Sequence, residues 1–155
     1  STLDRSSAAS DVYKRQGKGT EKLESTENVL KLGERDDVNE LLSASDLFIL
    51  TSKYGEGFSN ALGEGMSSGL IPISTKVGDA ESIVDCKGIL IEPYDLEGLK
   101  SAIEKVSNID PKSLKNKTIQ VRNHIIEKYS RSRTFRKTCT AYQTMGLGFG
   151  KECYS

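Results

Sequence analysis

Three short, unbroken apolar runs constrain this 155-residue chain more than any other feature. They are Leu47-Phe48-Ile49-Leu50, Leu70-Ile71-Pro72-Ile73 and Ile89-Leu90-Ile91. Each has the length of a strand, and a strand without apolar–polar alternation fits a sheet covered on both faces, as parallel sheets are. Pro72 stands near the start of its run, where a strand tolerates it. Val29-Leu30-Lys31-Leu32, closed by Gly33, predicts a further short strand. Helical patterns lie between the runs. Asp37 with Glu40 resembles a capping box ahead of Val38, Leu41 and Leu42. Ser59 or Asn60 opens a helix that carries Ala61, Leu62 and Met66 and ends near Gly69. Gly78-Asp79 leads into one or two turns bearing Ile83 and Val84. Asp95 caps a helix with Leu96, Leu99, Ile103 and Val106 on one face. The order β-α-β-α-β-α-β-α with short connections predicts an α/β fold, a parallel sheet flanked by helices. Ligands of such sheets sit beyond the carboxyl ends of the strands.

The ends differ from this middle. Residues 1–28 hold 6 hydrophobic residues, residues 29–106 hold 33 and residues 107–155 hold 16. Residues 1–16 have no apolar period and resemble translated linker sequence or a disordered end, so they are expected to contribute no element. One domain is expected over 17–145, and 146–155, with three glycines in five residues, predicts a frayed tail. Residues 113–129 predict a longer helix with Leu114, Thr118, Val121, Ile125 and Tyr129 in one stripe. A last helix over 132–142 carries Phe135, Cys139 and Tyr142.

Charge and cysteine usage exclude several classes. Lys plus Arg and Asp plus Glu are 22 each. That balance argues against a polybasic nucleic-acid binder. No apolar run approaches the ~20 residues that span a bilayer. Cys86, Cys139 and Cys153 make neither a disulfide framework nor a zinc pattern, so a cytoplasmic protein is expected. No metal site is expected. The single histidine, His124, is expected at the surface or its boundary. Residues 111–137 hold nine bases against Glu127. These form solvated helix faces or a peripheral contact with an anionic membrane or lipid-linked acceptor at the inner membrane face.

One loop carries chemistry: Glu56-Gly57-Phe58-Ser59-Asn60-Ala61-Leu62-Gly63-Glu64. It follows the strand at Leu47 and runs into a helix. A helix N-terminus offers unpaired amides and partial positive charge. Gly57 lets a ligand approach the backbone. The amides near Phe58, Ser59 and Asn60 suit a phosphate or a sugar hydroxyl. Carboxylates only accept hydrogen bonds, so Glu56 and Glu64 suit hydroxyl groups. Tyr54 either lines this site or covers the loop.

Residues 29–106, about half the chain, resemble the carboxy-terminal half of the GT-B-fold, retaining glycosyltransferases of family four, the group 1 glycosyl transferases. The resemblance runs collinearly through Val29-Leu30-Lys31-Leu32-Gly33, Ser45-Asp46-Leu47-Phe48-Ile49-Leu50, Glu56-Gly57-Phe58-Ser59-Asn60, Leu62, Glu64, Met66, Gly69-Leu70-Ile71-Pro72-Ile73, Val77-Gly78, Gly88-Ile89-Leu90-Ile91 and Pro93. It implies a Rossmann-like domain, incomplete at its amino terminus, that binds the nucleotide-sugar donor. Glu64 would hold the ribose hydroxyls. Glu56, the implied catalytic residue, would hold the transferred sugar. The amides of Gly57, Phe58 and Ser59, with Asn60 beside them, would touch the sugar or diphosphate, and loop 32–37 would lie near the base.

Such enzymes act in polysaccharide or glycolipid synthesis and use the donor without a metal or other cofactor. Three departures stand out. Gly65 replaces the usual Ala, which puts two glycines in the site helix at roughly 1 kcal/mol each. Asp79 stands where many members have Gly. The family's first glycine-rich loop, its diphosphate-binding Arg and Lys, and its amino-terminal acceptor domain have no match in residues 1–28. The fragment alone is therefore expected to be inactive. A nucleotide-sugar 2-epimerase-like isomerase and a non-catalytic nucleotide-sugar binding module are the alternatives.

Overall fold

The computed structural model describes residues 28–54 and 57–146, together with the backbone of Tyr13–Gln16. The chain divides into two compact units, one ending at Glu40 and the other beginning at Leu41.

In the first unit, β1 (Tyr13–Gln16) pairs parallel with β2 (Val29–Gly33), in register Tyr13↔Val29 and Lys14↔Leu30. The expectation that residues 1–16 hold no element is thus corrected for Tyr13–Gln16. A ladder is made by main-chain groups, and a strand reading Tyr-Lys-Arg-Gln gives no apolar signal. Gly33 ends β2 at φ +64°, a conformation glycine adopts without cost. Asp37 precedes α1 (Val38–Ser43), but its carboxylate is held by the Arg35 guanidinium, at 2.7 Å from Nε and through a second bond from Nη2. A two-pronged charged pair of this kind outcompetes the expected capping box. The Arg35 hydrogen bond holds the Asp37 carboxyl below the usual carboxylate range.

In the second unit, β3 (Leu47–Leu50), β4 (Ile71–Thr75) and β5 (Ile89–Ile91) form a parallel sheet with β4 in the centre. All expected strands are present and every pairing is parallel. They lie in two sheets. The unbroken apolar runs have the expected cause. On one face, Phe48, Leu50 and Leu90 pack against Leu62 and Met66 of α2 (Asn60–Ser67), Ile83 and Val84 of α3 (Ala80–Val84), and Val121 and Ile125 of α5 (Pro111–Tyr129). On the other, Leu47, Ile49, Ile71, Ile73, Ile89 and Ile91 pack against Leu99, Ala102, Ile103 and Val106 of α4 (Leu96–Ser107). Burying side chains such as Leu62 and Met66 contributes ~1.5–3 kcal/mol each.

Pro72 lies inside the central strand without breaking it. Ile71 donates to the Asp46 carbonyl on the β3 side, so the nitrogen of Pro72 faces β5. The β5 ladder begins only at Ile73↔Ile89. Opposite Pro72 lies Gly88, where a Cβ would stand 2.4 Å from the proline Cγ and carbonyl oxygen.

Helix ends follow the sequence closely. Asp95 accepts from the Gly98 amide, and Asp110 from those of Lys112 and Ser113. Gly69 closes α2 at φ +87°, with Gly69 N–H donating to the Met66 carbonyl and Leu70 N–H to that of Gly65. That is a Schellman motif. Two expectations are corrected. Leu96 is exposed, because it enters α4 in the first turn. His124 is buried, and its Nε2 donates to the Ile83 carbonyl at 3.0 Å. α6 (Arg131–Thr144) follows α5 and buries Cys139, while Phe135 and Tyr142 stay partly exposed. Among the described residues no helix is long and apolar enough to cross a membrane.

Candidate functional site

The carboxyl ends of β3, β4 and β5 open into loops at 51–54, 76–79 and 92–95. Thr75, at the end of β4, donates its hydroxyl to the Ser52 carbonyl at 2.8 Å. That bond ties the start of the motif loop to the central strand. Lys76 bonds to Glu92 at 2.7 Å across the ends of β4 and β5, and this partner holds its ammonium above the usual lysine range. Lys53 stands 5.7 Å from the centre of the Tyr94 ring, a cation–π distance. Tyr94 itself has φ +65°. Tyr54, at the start of the motif loop, is 78% exposed.

The predicted site residues divide as follows. Glu56 lies outside the described residues. Gly57 is exposed, and among the described residues a Cβ on it would meet nothing within 4 Å, so its backbone is open to approach from them. Ser59 is the N-cap of α2, its hydroxyl accepting from the Leu62 amide at 3.4 Å. Asn60 begins the helix and Glu64 lies four residues on, so both occupy one exposed face. Among the described residues the Glu64 carboxylate has no hydrogen-bond or ion-pair partner. The structure therefore brings Gly57, Ser59, Asn60 and Glu64 around the first turns of one helix. It leaves the α2 amides before Leu62 pointing out of the N-terminus. Loop 32–37 belongs to the first unit.

Phe58 behaves differently from its neighbours. It precedes the N-cap, where an apolar residue normally packs on the fourth helical residue as a hydrophobic staple. That residue is Gly63, which has no side chain to offer. The Phe58 ring passes over Gly63, about 3.5 Å from where a Cβ would stand, and meets Tyr129 of α5. The ring centres are 5.1 Å apart and tilted by 52°. Phe58, Asn60, Glu64 and Ser67 of the α2 side and Ile126 and Tyr129 of α5 line a depression of about 250 Å³. Tyr129 and Ile126 are the residues that sequence reasoning missed here. Tyr129 shows in the sequence only as the last member of the α5 stripe. Nothing local links it to a loop 71 positions earlier.

Chemically, the arrangement offers open amides at a positive helix end, a free carboxylate and an amide side chain on one face, and an aromatic wall. Such a surface can hold an anion at the amides and hydroxyl groups at Glu64.

Known proteins resemble the chain. The profile of the family "Glycosyl transferases group 1" matches residues 10–108. An Escherichia coli protein, UDP-Gal:alpha-D-GlcNAc-diphosphoundecaprenol alpha-1,3-galactosyltransferase, is 35% identical over 98 residues, 59% of this chain and 25% of its own. A glycosyltransferase structure from Rickettsia africae superposes with a TM-score of 0.71 at 23% identity, over 79% of this chain and 33% of that one. Anabaena HepE in complex with UDP-glucose superposes with a TM-score of 0.65 at 23% identity, over 78% of this chain and 33% of that one. The chain thus spans about a quarter of the curated relative and a third of these structures. The structural likeness is one of fold, the α/β arrangement of parallel strands and flanking helices found in GT-B glycosyltransferases. The matched profile covers well over half of the residues, and the chain belongs to the group 1 glycosyl transferases.

Proposed function

We propose that this chain is the donor-binding part of a retaining hexosyltransferase that serves polysaccharide or glycolipid synthesis. The observation that carries the reading is the α2 N-terminus, where unpartnered Glu64 and Asn60 share a face beside the open backbone of Gly57. The donor is a nucleotide-diphosphate sugar, the ligand class of the HepE complexes. The amides of Gly57, Phe58 and Ser59 receive the diphosphate, which the helix end attracts. Glu64 accepts from ribose hydroxyls. Glu56 orients the hydroxyls of the transferred sugar next to the bond that breaks. Departure of the diphosphate is the step needing most charge stabilisation. The cations for it, and the acceptor, come from parts of the enzyme beyond this chain, and no metal is required. The chain alone therefore does not turn over substrate.

The E. coli relative is named for a lipid-diphosphate substrate. A similar acceptor here would bring the exposed bases of α5 and α6, such as Lys115, Arg122 and Arg133, to the cytoplasmic membrane face. The isomerase alternative is less well supported, because the only histidine is buried and bonded to the Ile83 carbonyl.

NMR titration with UDP-glucose and UDP-galactose tests the reading. Glu64→Ala should weaken binding at least tenfold, since hydrogen bonds to a charged group are worth ~1.5–3 kcal/mol. Ser67→Ala, one turn further, should change little. Equal binding by wild type and Glu64→Ala would sink the assignment.

A further inference from the structure

The carboxyl end of α3 is finished by another helix. Its last four carbonyls have no partner within α3's own hydrogen-bond ladder. The Asp85 amide takes the Glu81 carbonyl and the Lys87 amide takes that of Val84. The other two receive side chains of α5. The His124 ring donates to the Ile83 carbonyl at 3.0 Å, and the Tyr129 hydroxyl donates to the Ser82 carbonyl at 2.9 Å. Lys128 adds an ion pair to Asp85 at 2.9 Å. Three α5 side chains thus fix its last two turns to α3.

That fixed end points its one aromatic ring at the motif loop. Phe58 has no staple partner in its own helix, because Gly63 occupies the position. The Tyr129 ring stands in for it, 5.1 Å away. The Phe58 amide is one of the groups assigned to the donor, and the ring pair holds the side chain of that same residue.

We propose that Tyr129 is a positioning residue for the donor site, which holds the Phe58 turn in its binding geometry from the rigid α3–α5 junction. The assignment rests on the donor-site reading above. Tyr129 touches no reacting atom and acts only through Phe58. Its ring, packed against the core beside α5, sets where Phe58 stands, and the hydroxyl bond to Ser82 only adds to that placement.

The test is amide hydrogen exchange and NMR titration with UDP on the full 155-residue chain, in wild type, Tyr129→Phe and Tyr129→Ala. Tyr129→Ala should raise exchange at 57–61 about 3- to 10-fold, the factor to which an aromatic pair typically converts. Exchange in β4 and α4 should stay at wild-type rates, which separates loosening of the loop from general destabilisation. Tyr129→Phe keeps the ring and should fall near wild type. UDP affinity should drop with Tyr129→Ala by a similar factor and recover with Tyr129→Phe. Unchanged exchange at 57–61, or an equal rise throughout the chain, overturns the proposal. So does a loosened loop that binds UDP as wild type does. A loop that loosens as described in a wild-type chain with no UDP binding at all overturns the donor-site reading and with it the role in donor binding. The clamp itself would then stand as a purely structural contact.

Discussion

Gly63 and Gly65 lie two residues apart in α2, and methyl groups added to them should act in opposite directions. Helix propensity alone favours Ala over Gly at both, by roughly 0.5–1 kcal/mol. At Gly63 the added Cβ would lie 3.5 Å from Phe58 Cε1, an ordinary contact that completes the staple. Gly63→Ala should therefore stabilise by about 0.5–1 kcal/mol. At Gly65 the Cβ would lie 2.6 Å from Phe48 Cγ and 2.8 Å from Cδ2. Carbon atoms prefer about 3.5–4.0 Å, so the ring of Phe48 or the β3–α2 spacing must yield by nearly 1 Å. Overpacking of this kind costs ~1–3 kcal/mol, which cancels or exceeds the propensity gain. The two variants should differ by about 1–3 kcal/mol, which at this size is a gap of roughly 2–12 °C in Tm. The chain has no tryptophan, so urea and thermal melts are best followed by far-UV circular dichroism. In a Phe48→Ala background the gap should shrink, because the atoms in the way are gone. Gly65→Ala as stable as Gly63→Ala, or a gap that survives Phe48→Ala, would refute the reasoning.

Three further outcomes follow from the same packing. Gly88→Ala should destabilise by ~3 kcal/mol or more, since its Cβ would collide with the Pro72 backbone oxygen, which cannot swing away; a melt within error of wild type would contradict this. His124→Leu should cost ~1–3 kcal/mol by orphaning the Ile83 carbonyl, with His124→Gln recovering part of it; equal melts for the two variants would place the effect in packing instead. Hydrogen bonding and charge from Lys128 depress the Asp85 carboxyl and raise the Lys128 ammonium. Their stabilisation is therefore present between about pH 4 and pH 10, fading below as Asp85 protonates and above as Lys128 loses its proton. Asp85→Asn should be less stable than wild type at pH 7 in low salt and equal to it near pH 2. A difference that persists in acid would count against the ion pair as its cause.

How far the fold was legible depends on where each residue's partner sits. Burial of a strand on both faces leaves its mark in the strand itself, so Leu47–Leu50 and Ile89–Ile91 are found from their own residues. Caps are local as well, and Asp95, Asp110 and Ser59 act within three residues of themselves. The misreadings have distant partners. His124 stands in a basic stretch that reads as surface, yet its partner is a main-chain carbonyl 41 positions away, which no composition reveals. Gly65 reads as a propensity cost until Phe48 is seen against it. β1 is a main-chain ladder with little apolar content, so its pairing with Val29–Gly33 leaves no trace in side-chain pattern. In the site, the helix and its N-terminal amides follow from the motif. The Tyr129 wall does not, because it depends on the register of α5 against α3.

Charge arithmetic limits how tightly the proposed donor site can hold a diphosphate on its own. A diphosphate brings at least two negative charges to the α2 N-terminus. A helix end supplies about half a positive charge, worth ~0.3–1 kcal/mol at an exposed site. Glu64, on the same helix, adds a carboxylate that in the proposed role accepts from the ribose and that repels the anion. Lys53, the described base nearest the motif in sequence, faces the Tyr94 ring. A few amide and hydroxyl hydrogen bonds, each worth ~1 kcal/mol net, complete the attraction. The sum is near 4 kcal/mol, a Kd for UDP of about 1 mM. Raising the salt concentration should weaken it further, because every charge involved is exposed to solvent. Isothermal titration and NMR on the chain should therefore find weak, salt-sensitive binding. A Kd near 1 μM would require about twice that free energy. It would mean that residues 1–155 already hold a full set of cations for the diphosphate, and that the chain needs no further domain to retain its donor.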